Sequence, residues 1–147
     1  KMFRGFEQAK IDEKGRLKIP AVFRERLFRE YGPDVFLTVL RDHQLCIYPL
    51  KVWEQKEQRL MDVPDSMPEK QRFIMTANYF GAERSVDDQG RLPLPQHLRD
   101  KVGLNAEVAV MGGINILVVM DRQHADRRAE EDFPSPEVFE RLQGFGI

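Results

Sequence analysis

Hydrophobic and polar positions alternate in two stretches of this chain, and the stretches match. Ile11 precedes and Leu17 and Ile19 follow the run Asp12-Glu13-Lys14-Gly15-Arg16. Val86 precedes and Leu92 and Leu94 follow Asp87-Asp88-Gln89-Gly90-Arg91, 75 positions on. A period of two is that of half-buried strands. Asp at the first turn position and Gly at the fourth suit a tight type I turn, and Gly15 and Gly90 can take positive φ. Pro20 and Pro95 then stand where a first helical residue belongs, since a missing N–H costs nothing there. Phe23 and Leu27, or Leu98 and Val102, follow four apart on one helix face. Each copy predicts strand, polar turn, strand and short helix. Over Ala9–Leu27 against Arg84–Val102, the pairs Asp12/Asp87, Gly15/Gly90, Arg16/Arg91, Leu17/Leu92, Pro20/Pro95 and Arg24/Arg99 are identical. Such a match marks a repeated structural unit.

The remaining pattern fills in around these copies. Residues 3–19 predict a first strand pair, and a helix from Pro20 to Tyr31 stops at Gly32-Pro33. The β-rich runs 35–40 and 45–48 predict a hairpin, repeated by 107–111 and 116–120 across Gly112-Gly113 and Asn115. Pro49 opens a helix with Leu50, Trp53, Leu60 and Met61 on one stripe, and residues 62–68 break it. A helix from Glu69 to Asn78 turns Phe73 and Ala77 inward. Arg122–Asp132 is a charged helix, and residues 137–143 form a last short one, with Phe133, Val138, Phe139 and Leu142 docking elsewhere. One repeat is too small to stand alone, so the two should bury their apolar faces against each other. The expected fold is mainly β with helices (α+β), a pseudo-two-fold β-barrel with helices outside. The division is a first repeat at 3–53, a helical connection at 54–78, a second repeat at 79–124 and a helical tail at 125–147.

Composition narrows the function. The chain has 147 residues, 41% hydrophobic and 32% charged, enough for one good core. No run approaches the roughly 18 apolar residues of a membrane span, and the start has no signal-peptide apolar core. Lys1, ahead of Met2, reads as an added residue and is set aside. A single cysteine, Cys46, fits a reducing cytoplasm. A net charge of −1 excludes a generally basic nucleic-acid binder, so any such role needs cations concentrated on one surface. The first turn has that concentration: Arg4, Lys10, Lys14, Arg16 and Lys18 are five cations within fifteen residues.

Enzyme chemistry is not indicated. His43, His97 and His124 show no metal-ligand spacing, and no nucleophile elbow, zinc-protease helix or phosphate loop appears. The reading calls for no cofactor, metal or small-molecule substrate. Adjacent acids such as Asp12-Glu13 and Asp87-Asp88 are solvated or pair with a nearby Arg. Arg16 and Arg91 have two compatible roles: pairing with their own turn's Asp12 or Asp87, and presenting a fork of donors to a phosphate or guanine edge. The second copy is poorer in cations, with Ser85, Gln89 and Pro93 where the first has Lys10, Lys14 and Lys18. Arg24, Arg26 and Arg29 read as a solvated helix face.

Taken together, Met2-Phe3-Arg4-Gly5, Asp12-x-Lys14-Gly15-Arg16-Leu17-x-Ile19-Pro20 with Phe23-Arg24, Tyr48-Pro49-Leu50-x-x-Trp53, and Asp87-x-x-Gly90-Arg91-Leu92-x-Leu94-Pro95 resemble the MraZ family. These are bacterial transcription regulators built of two SpoVT-AbrB-like domains. The resemblance runs from Met2 to Asp132. It implies a double-split, swapped-hairpin β-barrel in which the two repeats play the parts of two AbrB protomers. It also implies a nucleoid-associated cytoplasmic protein that forms ring-shaped homo-oligomers and binds double-stranded DNA at promoter repeats of the division and cell-wall gene cluster. The family's motif falls on Asp12/Arg16 and Asp87/Arg91, and its DNA-contacting arginine on Arg16. The expected DNA-binding residues are Arg16, Lys14, Lys18, Arg4, Lys10 and Arg91, with Asp12, Gly15, Asp87 and Gly90 shaping the turns. Pro93 removes a strand N–H and sets the second copy apart. The alternative is an antitoxin-like or scaffold module of the same fold that binds protein, its Arg turns serving as ion-paired structure.

Overall fold

In the computed structural model, which describes residues 2–147, the first strands do not pair as a local hairpin. Strand β1 (Phe6–Lys10) and the short β2 (Arg16–Lys18) flank the first turn, and α1 (Ala21–Glu30) follows. Next come β3 (Asp34–Arg41), β4 (Gln44–Pro49), α2 (Leu50–Met61) and α3 (Pro68–Tyr79). The second copy runs β5 (Ala82–Ser85), β6 (Arg91–Pro93), α4 (Gln96–Val102), β7 (Glu107–Gly112) and β8 (Leu117–Asp121), and α5 (Arg122–Glu131) and α6 (Pro136–Gln143) close the chain. Pro20, Pro49 and Pro95 sit one position earlier than predicted, as extended residues capping α1, α2 and α4.

Strand pairing is antiparallel and exchanged between the copies. The large sheet has the order β1-β7-β8-β4-β3-β5, so β1 leaves its own copy for the second hairpin and β5 leaves for the first. The short strands β2 and β6 pair with each other. The predicted first strand pair is therefore corrected: β1 and β2 form no ladder with each other, and the arms of that turn are joined by an isolated Ile11–Leu17 bridge and the Asp12–Arg16 hydrogen bonds. The two hairpins, β3–β4 and β7–β8, form as predicted. This α+β architecture is predominantly antiparallel sheet with six helices among the described residues. Lys1 lies outside them.

One apolar cluster draws on both copies. Leu17, Ile19, Phe23 and Leu27 from the first meet Leu92, Leu94, Leu98 and Val102 from the second, each at most 4% exposed. Full burial of such a side chain stabilises by about 1.5–3 kcal/mol. A second cluster joins β3 and β4 to α2 and α3, where Trp53 stacks on Phe36 at 4.5 Å and meets Tyr48 edge-on at 4.9 Å. Met61, predicted on the inward stripe of α2, is 70% exposed instead.

Candidate nucleic-acid interface

Each turn is organised by its Asp. The Asp12 carboxylate accepts the backbone N–H groups of Lys14 (3.0 Å) and Arg16 (2.9 Å), and the Gly15 N–H donates to the Asp12 carbonyl at 2.9 Å. The second turn repeats this: Asp87 accepts from Gln89 (2.9 Å) and Arg91 (2.8 Å), and the Gly90 N–H donates to the Asp87 carbonyl at 2.9 Å. Gly15 and Gly90 have φ of 78° and 82°, in the region where a Cβ is strained. Chiefly the backbone N–H of Arg16 holds Asp12 below its ordinary carboxylate range, and that of Arg91 does the same for Asp87.

The two turns interlock across a pseudo-two-fold axis. The Ile19 N–H donates to the Gly90 carbonyl at 2.8 Å, and its counterpart Leu94 donates to the Gly15 carbonyl at 2.9 Å. The helical arginines cross over as well. A Cβ built on Gly15 would lie 2.7 Å from the Arg99 guanidinium, and one on Gly90 would lie 2.8 Å from that of Arg24. Arg24 is thus not part of a solvated helix face. It and Arg99 each buttress the other copy's turn, and Arg26 donates to the Met2 carbonyl at 2.9 Å. The sequence does carry a signal for this role: Arg24 and Arg99 keep their identity where the helix around them changes.

Pairing of β2 with β6 gathers the cations. Leu17 faces Leu92, both fully buried, so the neighbouring positions point to the opposite, outer face. There Arg16 lies opposite Pro93, and Lys18 lies directly opposite Arg91. Lys18 donates its ammonium to the Gln89 carbonyl, which ties it to the second turn. Arg16 Nε donates to the Asp12 carboxylate at 2.8 Å with its side chain 34% exposed, so the guanidinium is oriented without being sealed in. The side chains of Lys14 and Arg91 make no hydrogen bond or ion pair among the described residues. Lys10 ends β1 opposite Glu107. Arg4 is exposed and precedes β1, at the opposite end of that strand from Lys10, so the structure separates it from the ribbon.

Other chemistry is sparse. Among the described residues no three His, Cys, Asp or Glu side chains are grouped to hold a metal. The fold does bring the rings of His43 and His124 to 4.4 Å, a contact that no sequence spacing announces. Burial, with His43 alongside, holds the His124 imidazole below its usual range. Burial likewise pushes the Cys46 thiol up, away from the reactive thiolate.

Comparison with known proteins bears on the whole chain. Residues 2–75 and 81–145 match the family model described as "MraZ protein, putative antitoxin-like", one segment over each copy of the repeat. The chain is 37% identical over 146 residues to the Transcriptional regulator MraZ of Acidobacterium capsulatum, covering 99% of this chain and 100% of that one. It is 34% identical over 147 residues to that of Koribacter versatilis, with coverage of 99% and 100%. Against that of Halorhodospira halophila it is 35% identical over 128 residues, with coverage of 86% and 84%. The protein belongs to the MraZ family.

Proposed function

We propose that this protein is a DNA-binding transcription regulator, not an enzyme, and that the outer face of the β2–β6 ribbon meets the duplex. The carrying observation is the register that sets Lys18 opposite Arg91 beside Arg16. Like charges facing each other across a ribbon destabilise it, and a polyanion removes that repulsion. Lys14 in the first turn adds to this charge, whereas Lys10 faces Glu107 across β1 and β7. The exchange of β1 and β5 between the copies supports the swapped-hairpin barrel reading, with units at 3–53, 54–78, 79–124 and 125–147.

A single chain offers few contacts, each neutralised phosphate adding about 0.9 to the salt dependence of binding. Weak single-chain binding becomes tight when subunits of a ring engage successive short promoter repeats at high effective concentration. The relatives' name, Transcriptional regulator MraZ, supports this reading. Control of the division and cell-wall cluster, residence on the nucleoid in the cytoplasm and a ring-shaped homo-oligomer complete it. A second reading, a protein-binding scaffold, draws on the Arg16–Asp12 ion pair. Gel shifts with the duplex upstream of the gene separate the two. Arg16→Ala should weaken binding at least about tenfold while the oligomer survives. Wild-type protein that binds a scrambled duplex equally well would overturn the regulator reading.

A further inference from the structure

The reading above depends on Arg16, and the residue before it is held by the second copy. Gly15 is buried although Asp12, Glu13 and Lys14 of the same turn are exposed. Its cover is Arg99. A Cβ on Gly15 would stand 2.7 Å from Nη2, 2.9 Å from Cζ and 3.2 Å from Nε of that guanidinium. Three atoms of one planar group at such similar distances place its flat face, not one tip, against the glycine. The Gly15 carbonyl meanwhile accepts the Leu94 N–H at 2.9 Å.

Arg99 is itself tethered. Its Nε donates to the Leu94 carbonyl at 3.1 Å and its Nη2 to the Gln96 side-chain oxygen at 2.8 Å. Both acceptors are uncharged, so the bonds use the fixed fork of the guanidinium, a shape that lysine lacks. Leu94 therefore grips the first turn twice, directly through its N–H and indirectly by aiming Arg99 through its carbonyl. A binding side chain works only when its surroundings hold it to within about 0.5 Å of the productive geometry. Within its own turn the Arg16 guanidinium has the 2.8 Å bond to Asp12. The backbone from which it departs is set by Leu94 and Arg99.

We propose that Arg99 is a positioning residue for DNA binding: seated on Gly15, it fixes the direction in which Arg16 leaves the first turn and does not itself touch the duplex. This role rests on the assignment of Arg16 to DNA. Arg24 is placed the same way on Gly90, one residue ahead of Arg91. Each turn's arginine is thus aimed from the other copy's helix, so neither copy presents its own alone.

Gel shifts across a salt series separate shape from charge. Arg99→Lys keeps the charge without the plane, and Arg99→Gln keeps a planar donor without the charge. Arg99→Lys and Arg99→Ala should each weaken binding about tenfold. Arg99→Gln should recover part of the loss, and all three should keep the wild-type salt slope. Wild-type affinity in Arg99→Lys, with a slope lower by about 0.9 in Arg99→Gln, would make Arg99 a phosphate contact and overturn the proposal. A second measurement needs no DNA. The Arg16 Nε–H, bonded to Asp12, should exchange its hydrogen faster by NMR in Arg99→Ala, with circular dichroism unchanged. A rate equal to wild type overturns the positioning role alone. If Arg99→Ala does not fold, Gln96→Ala removes one tether at an exposed residue. It should weaken binding about threefold with the same exchange response, and no response there is equally fatal. Wild-type protein that prefers no duplex overturns the role of Arg16 and that of Arg99 together.

Discussion

The two turns share a backbone and differ in what they display. Asp12 and Asp87 each accept the same pair of N–H groups, Gly15 and Gly90 take the same positive φ, and Arg99 and Arg24 close over them from the opposite copy. Outside that frame the likeness ends. Arg16 is clamped to its Asp at 2.8 Å while no such bond holds Arg91, and Gln89 and Pro93 stand where Lys14 and Lys18 stand in the first copy. The residues kept are those that bend the chain and seat its helix. The residues changed, Lys14 to Gln89 and Lys18 to Pro93, are exposed, while Arg16 and Arg91 on the outer face are kept. The two copies thus share the architecture of the ribbon, and the first carries more of its charge.

The shared frame is broken most severely at the glycines. Gly15→Val and Gly90→Val each force a β-branched residue into positive φ and drive a Cβ against a guanidinium. Each should cost about 1–3 kcal/mol in chemical denaturation. Because the turns support one another through the Ile19–Gly90 and Leu94–Gly15 hydrogen bonds, the two losses should be similar. A loss at Gly15 with none at Gly90 would mean that the first turn alone supports the ribbon.

This frame was legible in the sequence, and its partners were not. Asp12, Gly15, Pro20 and the Phe23/Leu27 spacing act locally, so turn, strand and helix follow from them directly. Alternation of Leu17 and Ile19 tells which face is buried but not which strand lies alongside. That choice is made by contacts 73 or more positions away, and so β1 joins β7 and β2 joins β6. For the same reason the cluster of five cations was visible, yet its division was not. Arg16 and Lys18 meet Arg91 on the ribbon, whereas Arg4 is left at the far end of β1. The approach of His43 to His124 likewise follows from the distant pairing of β4 with β8, and the crossing of Arg24 to the second turn from that of β2 with β6.

The difference between the turns can be erased by grafting. Gln89→Lys with Pro93→Lys gives the second copy the first one's lysines and returns a backbone N–H to β6. If the first turn binds phosphates through these positions, the graft should steepen the dependence of DNA affinity on salt by up to about 1.8 in the logarithmic slope. Arg91→Ala should weaken binding less than Arg16→Ala does. Equal losses would make the two turns equal readers despite their unequal charge. A graft with no effect on the slope would place the second turn outside the DNA footprint.

The smallest expected effect separates what the turns share from what they do not. Both carboxyls lie below their ordinary value of 3.8 in the folded chain. Their contribution to stability is therefore complete above that value and is lost as the pH falls through it toward the folded values. Asp12→Asn and Asp87→Asn should each flatten this acid limb. The charges that act on the two groups differ: Arg16 favours ionised Asp12 through its guanidinium, and also acts at a distance on Asp87, which Arg91 favours too. Arg16→Ala should consequently raise both carboxyls toward 3.8, Asp12 by more, so that acid unfolding begins at a higher pH. Arg91→Ala should raise Asp87 and leave Asp12 in place. Side-chain carbon NMR titration reads each group separately. If Asp87 fails to respond to Arg16→Ala, the ribbon is two independent turns and its cations do not form one electrostatic surface.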